Sequence, residues 1–234
     1  MDFELFKSII DECKKYGPRS FSLHLFGEPL LYPKIIESIA YIKRANKRNT
    51  VLLTTNGTIL NKFASEILKV KCDRVIWSYR RNNFNGDSID LLRRIGLIRI
   101  LIEETPKDEF ERWSKFPRVE IKHLHNYGGN INVKKWGLDD AIQSEFYPCY
   151  HLWLAPAIRW NGDITICCND PNGRESVGRY GIDTNIGSYW KSDRLYDIRA
   201  SHLALKPKGI CVGCTSYKAY PDIFFEHQKK QNHV

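Results

Sequence analysis

Long apolar runs are missing from this 234-residue chain: nowhere do about 18 apolar residues follow one another, so no segment reads as a membrane-spanning helix. A secretion signal is missing too. The N-terminus, MDFELFKSIIDECKK, is charged and amphipathic, with no apolar stretch ahead of a small-residue cleavage site, and the expected location is therefore cytoplasmic. Internal repeats and low-complexity segments do not occur. The net charge of +9 lacks the aromatic interleaving of a base-stacking groove. It sits in short clusters such as Lys43-Arg44, Lys47-Arg48, Arg80-Arg81 and Lys229-Lys230, which read as solvated surface, so nucleic acid is not an expected partner. An even-numbered disulfide framework is lacking: the seven cysteines of a chain with no secretion signal point to metal or thiol chemistry. A chain of this length buries one good core, or one core plus a small appended module.

What is present divides into two textures. The first half alternates short β-rich runs with helical patterns, the signature of βα units and a parallel sheet. Helices are predicted over 2–16, 33–46, 60–69, 87–95 and from Pro106 to about 115. Strands are predicted at Ser20–Phe26, Thr50–Thr54, Arg74–Tyr79, Ile98–Ile102 and Val119–His123. Gly17-Pro18 ends the first helix and Asn56-Gly57 the second strand. Ile35, Ile36, Ile39 and Ile42 mark the buried face of the second helix, while Cys13 continues the stripe of Phe6, Ile9 and Ile10 and reads as a buried structural thiol.

From Asn126 the composition turns to Gly, Asn and aromatics. The domains expected are 1–124, a linker at 125–147, and a C-terminal module at 148–234. In that module Leu152–Trp160 and Asp163–Cys167 read as two strands of a hairpin turned by Asn161-Gly162, and Ser188–His202 reads as one helix.

Four of the cysteines fall in an ordered frame. Cys149 and Cys167 are arranged as C-x12-G-x4-C, and Cys211 and Cys214 form a later C-x2-C. Thiolates are soft ligands suited to zinc or to iron–sulfur clusters. Structural zinc sites favour two short C-x2-C knuckles, and only one is present here, so the spacing suits a larger object gripped from several directions. A cluster, a zinc ion and unliganded thiols all stay open at this point. Strand alternation would turn Cys168 away from the face that Cys167 presents.

The tail from Cys149 through Asn161-Gly162-Asp163, Asn185-Ile186-Gly187, Trp190-Lys191-Ser192 and Arg199 to Cys211-Val212-Gly213-Cys214 resembles the SPASM/twitch module of radical S-adenosylmethionine (SAM) proteins. Phe26-Gly27-Glu28-Pro29 resembles that family's GGEP motif, with Phe26 in place of the first glycine, and Thr55-Asn56-Gly57 resembles its T-N-G. The resemblance implies an α/β fold: a partial parallel (βα) barrel missing its first strand, plus a small C-terminal β-hairpin/helix iron–sulfur module. It implies one auxiliary [4Fe-4S] cluster on Cys149, Cys167, Cys211 and Cys214. Gly27, Glu28, Pro29, Thr55, Asn56 and Ser78 would line a SAM site. The partners implied are a small-molecule or peptide substrate and a reductant protein. His123, His125, Tyr127 and Arg159 are substrate-contact candidates by position, and His24 a candidate for the barrel interior.

The family's catalytic motif, C-x3-C-x2-C, occurs nowhere in the chain. In the family those three cysteines hold the first [4Fe-4S] cluster, which reduces SAM to methionine and a 5′-deoxyadenosyl radical. SAM and this second cluster are therefore expected only if an N-terminal segment precedes Met1. The expectation is a radical SAM/SPASM-type iron–sulfur oxidoreductase recorded without its catalytic motif and inactive in that form. A naturally shortened, non-catalytic iron–sulfur protein for electron transfer or partner binding, and a zinc-stabilised binding protein, are the alternatives.

Overall fold

The computed structural model describes residues 1–79, 98–103, 119–122 and 148–214, which fall in two compact units, 1–123 and 124–234. The helices expected at 87–95 and 106–115, the linker, and His123, His125 and Tyr127 lie outside the described residues. No helix among those described is long and apolar enough to cross a membrane.

The first unit opens with α1 (Phe3–Cys13), started by Asp2, whose carboxylate accepts the Glu4 and Leu5 N–H groups at 2.9 and 3.0 Å. A tighter 3-10 turn (Lys14–Tyr16) ends at Gly17, whose φ of +81° is available to glycine at no steric cost. Then follow β1 (Ser20–Ser22), α2 (Ile35–Ala45), β2 (Thr50–Thr55), α3 (Leu60–Lys69), β3 (Arg74–Tyr79), β4 (Ile98–Glu103) and β5 (Val119–Lys122). The five strands pair in parallel in chain order, β1-β2-β3-β4-β5. The first strand is shorter than its apolar run predicts. Past Ser22 one more bond, from Leu23 N–H to Leu52 O at 2.9 Å, holds the chain before it turns away toward Gly27.

Alternation decides which side of the sheet is covered. Val51, Leu53, Val75 and Trp77 are buried against Phe6 and Ile10 of α1, Ile35, Ile39 and Ile42 of α2, and Leu60 and Ile67 of α3. Leu52, Thr54, Ile76 and Ser78 alternate with them on the opposite face and are only half-buried. Cys72 joins the core, whereas Cys13 is half-buried; burial pushes both thiols up to about 11. Lys43 is not part of a solvated cluster: its ammonium donates to Asn49 O at 2.6 Å and to the Asp73 carboxylate, which accepts the Val51 N–H at 2.7 Å.

The second unit departs from the predicted hairpin. The run 152–160 is not one strand, because α4 (His151–Leu154) takes its beginning and only Ala157–Ile158 (β6) pairs with Asp163–Thr165 (β7). Pro156 lies between the two and limits the strand, since proline offers no N–H to a ladder. The Gly-rich stretch that follows supplies a third antiparallel strand, β8 (Ser176–Arg179). The single helix expected over 188–202 is two, α5 (Ile186–Trp190) and α6 (Asp193–Leu203), because the Ser192 hydroxyl accepts the Leu195 N–H and starts a new helix. Leu152, Ile164, Ile166, Ile186, Tyr189, Leu195, Ile198 and Ile210 form the buried side of this unit.

Candidate functional site

In the first unit, the ends of β1 and β2 are joined through one carboxylate. Glu28 Oε1 accepts the Thr55 hydroxyl at 2.6 Å and the Leu30 N–H at 3.2 Å, while Oε2 accepts the Asn56 N–H at 2.7 Å. Thr55 Oγ1 in turn accepts the Gly57 N–H at 3.1 Å, and Trp77 Nε1 donates to Asn56 O at 3.2 Å. Gly57 sits at φ +81°, and a Cβ there would fall 2.5 Å from Trp77 Nε1, so this turn is closed to other residues. The structure thus brings Glu28, Thr55 and Asn56 together as a clamp whose polar groups face one another. Gly27 is exposed, with no atom of the described residues within 4 Å of the position a Cβ would take, so its backbone is open on that side. Pro29 opens a 3-10 turn, Pro29–Leu31. Ser78 stands on the half-buried face of β3, opposite Trp77, and takes no part in this network. The sequence reading missed Trp77 as the plate under Gly57; its place in the Val75, Trp77 alternation was the available signal.

In the second unit, the cysteines come from three directions. Cys149 is not on the hairpin; it precedes α4, and its N–H donates to His202 Nδ1 at 3.2 Å. Cys167 follows β7, whose last residue is Thr165, so strand alternation does not extend to it or to Cys168. The two thiols hydrogen-bond to each other, and the Asn169 N–H donates to Cys167 Sγ at 3.3 Å. Cys211 ends a 3-10 turn (Gly209–Cys211), and the Cys214 N–H donates back to Cys211 O at 3.2 Å.

These thiols share one electrostatic neighbourhood. Burial, then the Cys214 and Cys168 charges, push Cys149 up to about 11. The Cys168 hydrogen bond, then burial, hold Cys167 far above the ordinary thiol range. Burial, Cys214 and Cys149 push Cys211 up to about 12. Grouped thiols in a low-polarity pocket resist ionisation singly, and a bound cation reverses that preference. Among the described residues no three His, Cys, Asp or Glu side chains converge tightly enough to enclose a single metal ion.

One buried carboxylate fixes the turn that carries Cys211. Glu175, 4% exposed, accepts the Ile210 N–H at 3.2 Å and pairs with Arg194, while its own N–H donates to Asp170 Oδ2 at 2.8 Å. Gly209, at φ +57°, passes so close to Glu175 Oε1 that a Cβ there would collide with it. Arg159 donates to the Asp170 and Pro171 carbonyls at 3.3 and 2.7 Å, a structural use that ties it to the segment between β7 and β8. Glu175, Asp170 and Arg194 were not legible as site residues, since a carboxylate in a Gly-rich loop looks like any solvated one.

No protein-family model matches the chain. Over 147 residues, 63% of its length, the chain is 27% identical to the probable GTP 3′,8-cyclase of Methanococcus maripaludis, and it spans only 37% of that curated relative. Among solved structures, BtrN in complex with AdoMet and 2-DOIA superposes with a TM-score of 0.65 over 92% of this chain and 80% of its own, at 18% identity. The fold is that of BtrN. An open conformation of BtrN superposes less well, at a TM-score of 0.55 and 16% identity, covering 86% of this chain and 73% of that one. The α/β architecture with its parallel sheet is thus shared with BtrN.

Proposed function

We propose that the chain is a radical SAM/SPASM-type iron–sulfur oxidoreductase acting on a small molecule or peptide, in a form without the C-x3-C-x2-C motif. In this reading the parallel sheet is a partial barrel, and Cys149, Cys167, Cys211 and Cys214 hold one auxiliary [4Fe-4S] cluster. The grouping of thiols from three separate segments carries the reading. Structural zinc sites favour two C-x2-C knuckles and the chain offers one, Cys211 and Cys214, which suits a multi-iron cluster better than one zinc ion. When bound, the cluster would supply electron-transfer capacity toward a substrate or a reductant protein.

The Gly27-Glu28-Pro29 turn and Thr55-Asn56 form the SAM-facing rim of the proposed enzyme. The open backbone at Gly27 supports this role, as does the AdoMet held by BtrN, the protein of like fold. Glu28 acts there by fixing the two turns, not by offering its charge, because both oxygens are already accepting hydrogen bonds. Ser78, on the half-buried sheet face, completes the rim.

The 234 residues contain no C-x3-C-x2-C, so we expect them to bind one cluster and to cleave no SAM. The test is anaerobic reconstitution with ferrous iron and sulfide, followed by iron counting, Mössbauer spectroscopy and product analysis. One cubane per chain, lost in Cys211→Ala, and no 5′-deoxyadenosine under reductant is the expected result. Stoichiometric zinc without iron or sulfide in anaerobically purified protein would sink the cluster. The absent motif favours a second reading, a non-catalytic iron–sulfur protein for electron transfer or partner binding. An in-frame C-x3-C-x2-C in the DNA upstream of Met1 decides against it.

A further inference from the structure

The loop that leaves β7 carries Cys167 and then a buried carboxylate. Asp170, 1% exposed, accepts the Glu175 N–H at 2.8 Å through Oδ2, and its own carbonyl accepts the Gly173 N–H at 3.3 Å, which closes the loop on itself. Arg159, just past β6, braces the same loop. Its Nη1 donates to the Asp170 and Pro171 carbonyls at 3.3 and 2.7 Å, and Gly173, at φ +67°, passes so near that a Cβ there would lie 2.9 Å from that nitrogen. A second link starts where the first ends. The Glu175 carboxylate, 4% exposed, accepts the Ile210 N–H at 3.2 Å, and Ile210 immediately precedes Cys211. A chain of hydrogen bonds thus runs from the Cys167 loop, through Asp170 and Glu175, to the turn that carries Cys211.

Both links are shielded from water, so breaking either one leaves a buried group unpaired. The arrangement is not the most stabilising one for this volume. Asp170 Oδ1 and Arg159 Nε are buried without a hydrogen-bond partner, and each costs stability that apolar side chains would not. What the polar chain provides instead is a fixed relation between two cysteine-bearing segments that are far apart in sequence. We propose that Asp170, braced by Arg159, is a positioning residue that couples the Cys167 and Cys211 corners of the cluster cradle, so that neither ligand segment shifts without the other. The inference rests on the cluster reading given above. Asp170 acts through the ligand-bearing backbone and not on the metal, as outer partners of metal ligands do.

The test uses the full chain. In the cluster-free protein, the rate at which iodoacetamide alkylates each cysteine is read peptide by peptide with mass spectrometry. Asp170→Ala lies in the Cys167 loop, yet it should speed alkylation of Cys211 as well as Cys167. Cys149, whose N–H is held by His202 outside this chain of bonds, should keep its wild-type rate. Gly209→Ala presses on Glu175 from the other end and should speed alkylation of Cys167 in return. This reciprocal variant keeps the proposal open to refutation if Asp170→Ala does not fold. After anaerobic reconstitution with ferrous iron and sulfide, Asp170→Ala should release iron to a chelator about tenfold faster than wild type. Asp170→Asn, which retains an acceptor for the Glu175 N–H, should stay near the wild-type rate. A change confined to the cysteine nearest each substitution overturns the proposal, as does an equal rise at Cys149, which would mark general loosening of the unit. Asp170→Asn losing iron as fast as Asp170→Ala overturns it too. A wild-type chain that takes up no cluster overturns the underlying reading instead and leaves the alkylation pattern standing, so the two failures are distinguishable.

Discussion

Glu28 illustrates how a motif residue can matter through what it holds. Its carboxylate accepts three hydrogen bonds from two separate turns, and hydrogen bonds to charged groups contribute about 1.5–3 kcal/mol each. Glu28→Gln keeps the shape but turns one acceptor into a donor facing an N–H or a hydroxyl. We expect it to lower stability by about 2 kcal/mol in urea titration and to loosen the Gly27 turn. A second residue-scale prediction concerns the adjacent pair. The cysteine frame selects Cys167, and the geometry no longer sets Cys168 apart, because both thiols lie in the same turn and touch. Cys167→Ala should abolish iron uptake and Cys168→Ala should retain it; the reverse outcome would reassign the ligand. The frame was readable from spacing alone. The Glu28 clamp was not, because residues 28 and 55 are neighbours only once β1 and β2 pair.

At the scale of elements, legibility followed the source of stability. Helices α1, α2 and α3 and strands β2 and β3 have clean periodicity, since each buries one face in the core around Leu53 and Trp77. The second unit is written in shorter pieces, with a four-residue helix and a two-residue strand, too brief for periodicity to register. There, single side chains decide the boundaries: Ser192 splits a helix, and Glu175 anchors the Cys211 turn. Glu175→Ala should cost the second unit about 2 kcal/mol, below the range for a fully buried pair because Arg194 is half-exposed. It should also weaken cluster retention against a chelator, checked by iron release.

The hairpin carries a pH signature. Asp163 is held below its ordinary value of 3.8 chiefly by the Arg179 hydrogen bond at 2.8 Å. A depressed carboxylate contributes stability that is present above 3.8 and lost as pH falls through the lower folded-state value. Asp163→Asn should therefore be less stable than wild type at neutral pH, by under about 1 kcal/mol given the exposure of Arg179. The gap should close on acidification below pH 3.8, as thermal melts across pH would show.

Over the whole molecule, the two units differ in what holds them. Among the described residues, the first has a continuous apolar core of three helices against a sheet, and the second buries fewer large apolar side chains. Metal binding energy in such a thiol-rich module is folding energy. Calorimetry of the cluster-free and reconstituted chain should accordingly show two transitions, with iron and sulfide moving one upward and leaving the other in place. A single transition that ignores the metal would contradict this division. The fold class was open to sequence reasoning because parallel βα units repeat a pattern, whereas the second unit's three-stranded sheet was half hidden in what reads as loop.

The carboxylate that ties the Gly27 turn to Asn56 also bears on the thermodynamics of any ligand that docks there. Two turns that would otherwise fluctuate independently move as one body, so the disorder that binding would have to remove was already removed when the chain folded. A ligand arriving at that rim should bind with a small entropy penalty and a fast on-rate. Severing the tie should show first as slower, more enthalpy-driven association, before any contact with the ligand itself is lost.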